Sequence, residues 1–366
     1  MATFPSKVNF VTGDVLTATN MNDIGGAINL LDGAQYSAGK NKIINGDFSI
    51  NQRAFTSTTT SAAYGFDRWN VNMVDGTVTY SAQTFTPGAA PVAGYEAANY
   101  ARVITTGQTL TTARANFSNP IEDVRTLAGQ TATVSFWAKA ATGTPKIAIE
   151  LNQNFGSGGS PSASVPTYAG QVTLSTSWAR YSVTVAVPSI SGKTIGTTAN
   201  TSILQCNLFV SAGSTLNSRT GSLGIQSNTF DIWGIQLEEA DTASPFQTAS
   251  GSIQGELALA QRYYWRAGGQ SSYQNFGIGL ATSATNVRIL LTCPVQMRTS
   301  PSSIDFSTLA AYDAAVQNSV TAVAFAQQGT LVTAVDCTST GLTTSRATTL
   351  IANNSTSAYI GLNAEL

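Results

Sequence analysis

The chain has 366 residues, with 18 basic and 19 acidic side chains, a net charge of −1 and no histidine. Charged residues make up 10% of the chain, far below the usual quarter, and the basic ones are scattered. This excludes the clustered Lys and Arg that nucleic acid or an anionic membrane surface requires, and it removes the commonest general base and metal ligand.

The length suffices for two or three domains, and 42% apolar residues can fill their cores. Ser, Thr, Asn, Gln and Gly supply most of the polar surface, a composition suited to strands and turns. The three cysteines, Cys206, Cys293 and Cys337, lie far apart; an odd number implies no disulfide scaffold and fits assembly in a reducing cytoplasm. The first ten residues contain no apolar run of signal-peptide length, and no stretch approaches ~20 consecutive apolar residues, so no membrane insertion is expected.

Residues 1–40 form an N-terminal arm. Met21, Ile24, Ile28 and Leu31, spaced three, four and three, predict one apolar stripe on a short helix capped by Thr17. Gly25 and Gly26 weaken that helix, so it needs a packing partner, either its own body or another subunit.

Residues 41–250 alternate with period two. Val134, Phe136 and Ala138 oppose Ser135 and Trp137; Ile147, Ile149 and Leu151 oppose Lys146, Ala148 and Glu150. Tyr181, Val183, Val185 and Val187 repeat the pattern, as do Leu204, Cys206, Leu208 and Val210 against Gln205, Asn207 and Phe209, then Trp233, Ile235 and Leu237. Such runs, separated by Gly, Pro, Ser and Asn clusters, predict an antiparallel jelly-roll-like sandwich.

Residues 251–266 predict a linking helix with Ser252 as N-cap, Glu256 placed for the helix dipole, and Leu257, Gln261 and Tyr264 on one side. Its end, Tyr263, Tyr264 and Trp265, cannot turn three aromatics to one core; this predicts a junction between domains or subunits. Residues 267–366 predict a C-terminal β domain. It contains a hairpin turning at Gln327-Gln328-Gly329 and a last strand with Ile360, Leu362, Ala364 and Leu366 on one face.

Several strings resemble a widespread family of bacteriophage tail and baseplate proteins. Residues 10–21 (FVTGDVLTATNM) are similar to N-terminal arms of tail-fibre subunits. Residues 41–53 (NKIINGDFSINQR) and 64–69 (YGFDRW) resemble the opening of that family's carbohydrate-binding-module-like sandwich, and residues 230–246 (FDIWGIQLEEADTASPF) its closing strand. Residues 256–264 (ELALAQRYY) and 359–366 (YIGLNAEL) resemble its following helix and final strand. The resemblance implies a virion protein of the phage tail, assembled in the host cytoplasm. It further implies a homotrimer that attaches to other tail or baseplate proteins through residues 1–40 and contacts host surface polysaccharide.

Four tryptophans, Trp69, Trp137, Trp178 and Trp233, are candidate glycan platforms, since aromatic faces match the C–H faces of sugars. A packing role is the better reading for all four, and Trp137, opposite Phe136, is the one most able to face outward. Asp47 and Asp231, near the sandwich ends, are candidate calcium ligands, against turn capping for Asp47 and, for Asp67, an ion pair with an arginine. No cofactor is expected. Two alternatives stand beside a glycan-contacting fibre subunit: a purely architectural baseplate, collar or head-decoration protein, and a tail-borne polysaccharide-degrading enzyme. The enzyme requires a carboxylate pair, and the 19 acidic residues fall in no such motif, so no catalytic residue is assigned.

Overall fold

The computed structural model describes residues 38–313 and 316–366. The predicted stripe of Met21, Ile24, Ile28 and Leu31 lies outside them. The first half contains β1 (Ser57–Thr58), β2 (Asn70–Val74), β3 (Thr77–Thr84), β4 (Asn99–Thr106), β5 (Arg114–Ile121) and β6 (Thr131–Ala140). It continues with β7 (Lys146–Asn154), β8 (Val165–Thr173), β9 (Ala179–Ala186), β10 (Ile203–Ala212) and β11 (Asn228–Glu239). Helix α1 (Ile253–Gln261) leads into β12 (Tyr264–Gly268), β13 (Asn275–Ser283), β14 (Asn286–Thr292), β15 (Ser303–Ser307) and β16 (Leu309–Tyr312). The chain closes with β17 (Gln317–Ser319), β18 (Ala322–Gln327), β19 (Val332–Thr338), β20 (Ala347–Ala352) and β21 (Tyr359–Asn363).

The first half is a two-layer antiparallel sandwich. One sheet runs β1-β3-β4-β11-β6-β9 and the other β2-β5-β10-β7-β8. The inward halves of the alternating runs (Val134 and Phe136, Ile147 and Ile149, Leu204 to Val210) meet as one core with Phe48, Phe66, Trp69, Tyr80 and Phe117. Trp69 stacks on Phe117 at 4.4 Å and 13°, and its Nε1 donates to the Asn45 carbonyl at 2.9 Å.

One strand departs from simple alternation. Between Trp233 and Gln236 the register of β11 against β6 shifts, and Gly234 sits there at φ +63°. A Cβ at Gly234 would come within 2.8 Å of the Trp137 ring, so the bulge needs glycine. Its effect is to turn Trp233 to the face opposite Ile235 and Leu237, where it pairs with Trp137.

Ser252 caps α1, accepting from Gly255 N at 3.1 Å. Ser252→Ala is expected to cost about 1 kcal/mol, read as a lower denaturation midpoint with an unchanged slope. Glu256 does more than face a dipole. It is buried, with Oε2 accepting from Asn45 N at 2.8 Å and Oε1 from Ser250 N at 2.7 Å, so it ties the helix to the start of the sandwich. Burial raises its carboxyl above the ordinary range.

The helix is shorter than the sequence predicts. It stops at Gln261, and Tyr264 and Trp265 open β12, paired with Asn363 and Leu362 of β21. The strand pairing outcompetes a helical continuation that two adjacent aromatics support poorly.

The second half stacks a three-stranded sheet, β12-β21-β15, against a seven-stranded one, β17-β16-β20-β13-β14-β19-β18. Trp265, Ile360 and Leu362 from the first meet Val287, Ile289, Leu291, Val335, Cys337 and Leu350 from the second. The predicted hairpin is β18-β19. All three thiols are free and buried; burial pushes Cys206 and Cys337 up to about 12 and Cys293 to about 11, so they are packing groups. No helix among the described residues is long and apolar enough to cross a membrane.

Candidate functional site

The two outer faces of the sandwich differ sharply. On the six-stranded sheet, Trp137 and Trp233 lie 5.4 Å apart, and Phe246 covers them at 5.9 and 5.1 Å. Tyr95 and Phe85 extend the layer against Trp233. Trp137 is 9% exposed, with the Arg180 guanidinium 4.7 Å from its ring, and Trp69 and Trp233 are fully buried. Of the four tryptophans named from the sequence, Trp178 alone is half-buried; it packs on Phe85 and Tyr100, with Lys139 Nζ 5.3 Å from its ring. This face is a packed aromatic layer continuous with the sandwich core rather than an open platform.

The carboxylates named for calcium are taken by protein donors. Asp47 Oδ1 accepts from Ser49 N and Oγ, and its Oδ2 from the Tyr95 hydroxyl at 2.8 Å, which is turn capping. Asp231 receives Arg102 at 2.7 and 2.9 Å and Lys139 at 3.7 Å. Asp67 pairs with Arg53 at 3.5 Å. Among the described residues no group of three or more His, Cys, Asp or Glu is placed to hold a metal ion.

The outer face of the five-stranded sheet has a different chemistry. Antiparallel register sets Asn70, Ser118, Asn207, Glu150 and Tyr168 in one transverse row across all five strands. A neighbouring row holds Asn72, Asn116, Phe209, Ala148 and Gln171, and on the other side Pro120, Gln205, Asn152 and Pro166 align. These are the outward partners of the alternating apolar core residues.

The central row is a hydrogen-bonded ladder. Asn207 Oδ1 accepts from Ser118 Oγ at 2.8 Å and Asn116 Nδ2 at 3.0 Å, and Asn207 Nδ2 donates to Glu150 Oε1 at 2.9 Å. Gln205 Nε2 donates to Ser118 Oγ at 2.7 Å. Arg219, from the single helical turn after β10, forks onto Glu150 at 2.6 and 2.7 Å; those hydrogen bonds hold its guanidinium above the ordinary value. Ser118, Glu150 and Asn207 are buried, while Asn72, Asn152, Gln171 and Gln205 are half-buried and Tyr168 is 37% exposed.

A fixed polar floor thus carries a rim of amides and one phenol. Asn152 Oδ1 and Arg114 Nε, both on this side of the sheet, are buried and have no hydrogen-bond partner. Gln171 gives its amide hydrogens to the Thr220 and Gly221 carbonyls at 2.6 and 2.9 Å and offers its carbonyl alone; fixed amides of this kind match sugar hydroxyls, and locked partners reduce the entropy lost on binding.

The junction aromatics meet the sandwich directly. Arg68 lies 3.4 Å from the Tyr263 ring centre and Arg53 lies 3.7 Å from that of Tyr264. Arg68 also donates to Glu365 and to the Pro120 carbonyl, and Tyr264 OH donates to Asp305 Oδ2 at 2.8 Å. Trp265 points instead into the second core.

The fold and its faces define an antiparallel β-sandwich joined to a second β unit, with one amide-rich sheet face. No protein-family model matches the chain, and no curated protein matches it. Solved structures similar to it include a putative sugar binding protein from Bacteroides thetaiotaomicron, at 15% identity and TM-score 0.35, covering 55% of this chain and 100% of that one. A family 11 carbohydrate-binding module from Clostridium thermocellum, solved with a mixed-linked tetrasaccharide, is 12% identical at TM-score 0.31, covering 51% of this chain and 97% of the module. The enzymatically active domain of a bacteriophage CBA120 tailspike protein is 13% identical at TM-score 0.31; the match covers 55% of this chain and 22% of the tailspike chain. These likenesses concern the fold alone.

Proposed function

We propose that the chain is a structural subunit of a bacteriophage tail, a fibre or receptor-binding component, that contacts host surface glycans on the outer face of the five-stranded sheet without cleaving them. The observation that carries the glycan reading is the ladder Ser118, Asn207, Glu150 and Arg219, which fixes a rim of Asn72, Asn152, Gln171, Gln205 and Tyr168. Sugars are recognised by hydrogen bonds to hydroxyls and by an aromatic edge or face, and this rim supplies both. The ordered tail-protein strings at 10–21, 41–53, 64–69, 230–246, 256–264 and 359–366 support the virion assignment. Multivalent display on a particle would raise a weak single-site affinity to a useful avidity.

The non-hydrolytic reading is supported by how the buried carboxylates are engaged. Glu150 is forked by Arg219, Glu238 accepts from Gln236 and Ser244, and Glu256 accepts two backbone N–H groups.

The test is binding of host-surface polysaccharide by calorimetry, with release of reducing ends followed in parallel. Tyr168→Ala combined with Asn152→Ala is expected to weaken binding by roughly tenfold, about 1.4 kcal/mol, without altering the melting curve by more than a surface change does. Binding that survives the double substitution unchanged moves the site off this face. Release of reducing ends overturns the non-enzymatic reading, and absence of the chain from purified virions overturns the tail assignment.

A further inference from the structure

Helix α1 is apolar on more than one side. Glu256 and Ala260 are its buried positions. Gly255, Ala258, Leu259 and Arg262, at spacings of three, one and three, form a separate stripe. A helix that is apolar on several sides is one covered on several sides. The second stripe walls a groove of about 640 Å³, completed by Ala38, Ile44, Ala249 and Val295. Ile44, Ala258, Leu259 and Val295 are half-buried.

Four parts of the chain meet around the groove: the entry to the sandwich, its exit, the helix, and the loop between β14 and β15 that carries Val295. Gly39 N donates to the Ala249 carbonyl at 3.1 Å, which sets entry and exit side by side. Lys42 Nζ donates to the Gly39 carbonyl at 2.6 Å, so its charge stands at the entry end. Arg262 lies further along the helix and pairs with Glu122 at 3.1 Å.

We propose that residues 17–31 of the same chain pack into this groove as a helix, with Met21, Ile24, Ile28 and Leu31 turned towards α1. Three observations select this occupant. The first is the tether. Ala38 lines the groove, and Leu31 precedes it by seven residues, a reach of at most ~25 Å. So short a link holds the segment at an effective concentration of about millimolar, which a separate partner lacks. The second is charge. The groove lining holds Lys42 and Arg262 and no acidic residue, whereas residues 17–32 hold Asp23 and Asp32 and no Lys or Arg. Asp32, close before Ala38 in the chain, falls at the Lys42 end. The third is size. Gly25, Gly26 and Ala27 leave an isolated helix weak, but opposite Gly255 and Ala258 they let two backbones approach closely. Docking there gives residues 1–16 one fixed point of departure from the body.

The experiment reads the groove and the segment separately in the full chain. Ala258→Cys puts a thiol in the groove, and the three native thiols do not compete because all are buried. Its alkylation should become at least about tenfold faster when Ile24→Asp and Ile28→Asp are added, since reactivity follows exposure. Amide hydrogen exchange gives the second readout: residues 21–31 should exchange at least about tenfold more slowly in the parent than in Leu259→Asp, with the sandwich strands unchanged. Ile24→Asp and Ile28→Asp leave the described body untouched, so a Leu259→Asp chain that fails to fold still leaves the alkylation result decisive. Equal alkylation with and without the segment substitutions overturns the proposal. So does a parent whose residues 21–31 are unprotected, or protection that survives in a folded Leu259→Asp chain. Both readouts should be independent of protein concentration; protection lost on dilution assigns the groove to a second copy and overturns docking within one chain.

Discussion

Replacing Glu365 with alanine is expected to lower stability by about 3–5 kcal/mol, because it leaves Arg68 charged, buried and without its carboxylate. Arg68 is 1% exposed and Glu365 is nearly as enclosed. Around the pair, Tyr263 covers the guanidinium, Arg53 reaches Glu365 at 3.3 Å, and Tyr64 donates to the Leu366 carbonyl at 2.9 Å. Burial pushes the Tyr64 phenol up to about 12, with Glu365 adding to the shift. Arg298 closes the other side by donating to the Ala364 and Glu365 carbonyls. The cost is therefore the desolvation of an unpaired cation, not the worth of an exposed ion pair. Chemical denaturation of Glu365→Ala checks the magnitude, and Arg68→Met with Glu365→Met separates the two explanations. If the apolar pair recovers most of the loss, the single variant failed through its orphaned charge. If Glu365→Ala costs less than about 1 kcal/mol, the cluster is hydrated and the halves are held by other contacts.

This junction also shows what the amino-acid pattern could and could not convey. The run Tyr263, Tyr264, Trp265 points to a boundary because three adjacent aromatics exceed what one core can receive. Their partners, Arg68 and Arg53, lie some two hundred positions earlier, and nothing local marks those arginines among 18 basic residues. The helix end is misjudged for a related reason: propensity carries α1 through Tyr264, whereas pairing with β21, about a hundred residues later, claims that residue for a strand.

The polar ladder on the five-stranded sheet is legible only in halves. Alternation assigns Gln205, Asn207 and Phe209, and likewise Ala148 and Glu150, to the face opposite the core. It does not say that Asn207 stands between Ser118 and Glu150, since strand order β5-β10-β7 joins segments far apart in the chain. Tryptophans attract the eye as platforms, yet Trp137 is sealed by Phe246 and Trp233. The cause is the bulge at Gly234, which a period-two reading cannot anticipate because it shifts every face beyond it.

Trp69→Ala is expected to cost about 3–5 kcal/mol. The indole is fully buried and stacked on Phe117, with Phe48 at its edge 5.7 Å away, and it links both layers at the point where the chain enters the sandwich. Its Nε1 holds the Asn45 carbonyl, while the Asn45 side chain donates to Ile50 and Asp67 carbonyls and accepts from Ile50 N. Truncation therefore removes a large apolar volume and loosens the turn that orders residues 45–50. Trp69→Phe keeps most of the volume and is expected to lose about half as much. Denaturation midpoints of the two variants rank the two causes. Near-equal losses mean that the hydrogen bond to Asn45 matters more than the filled volume, and a wide gap means the reverse. A loss below about 1 kcal/mol for Trp69→Ala would mean that the surrounding rings collapse into the space, which the tilted packing of Phe48 on Phe66 and Phe117 between two sheets opposes.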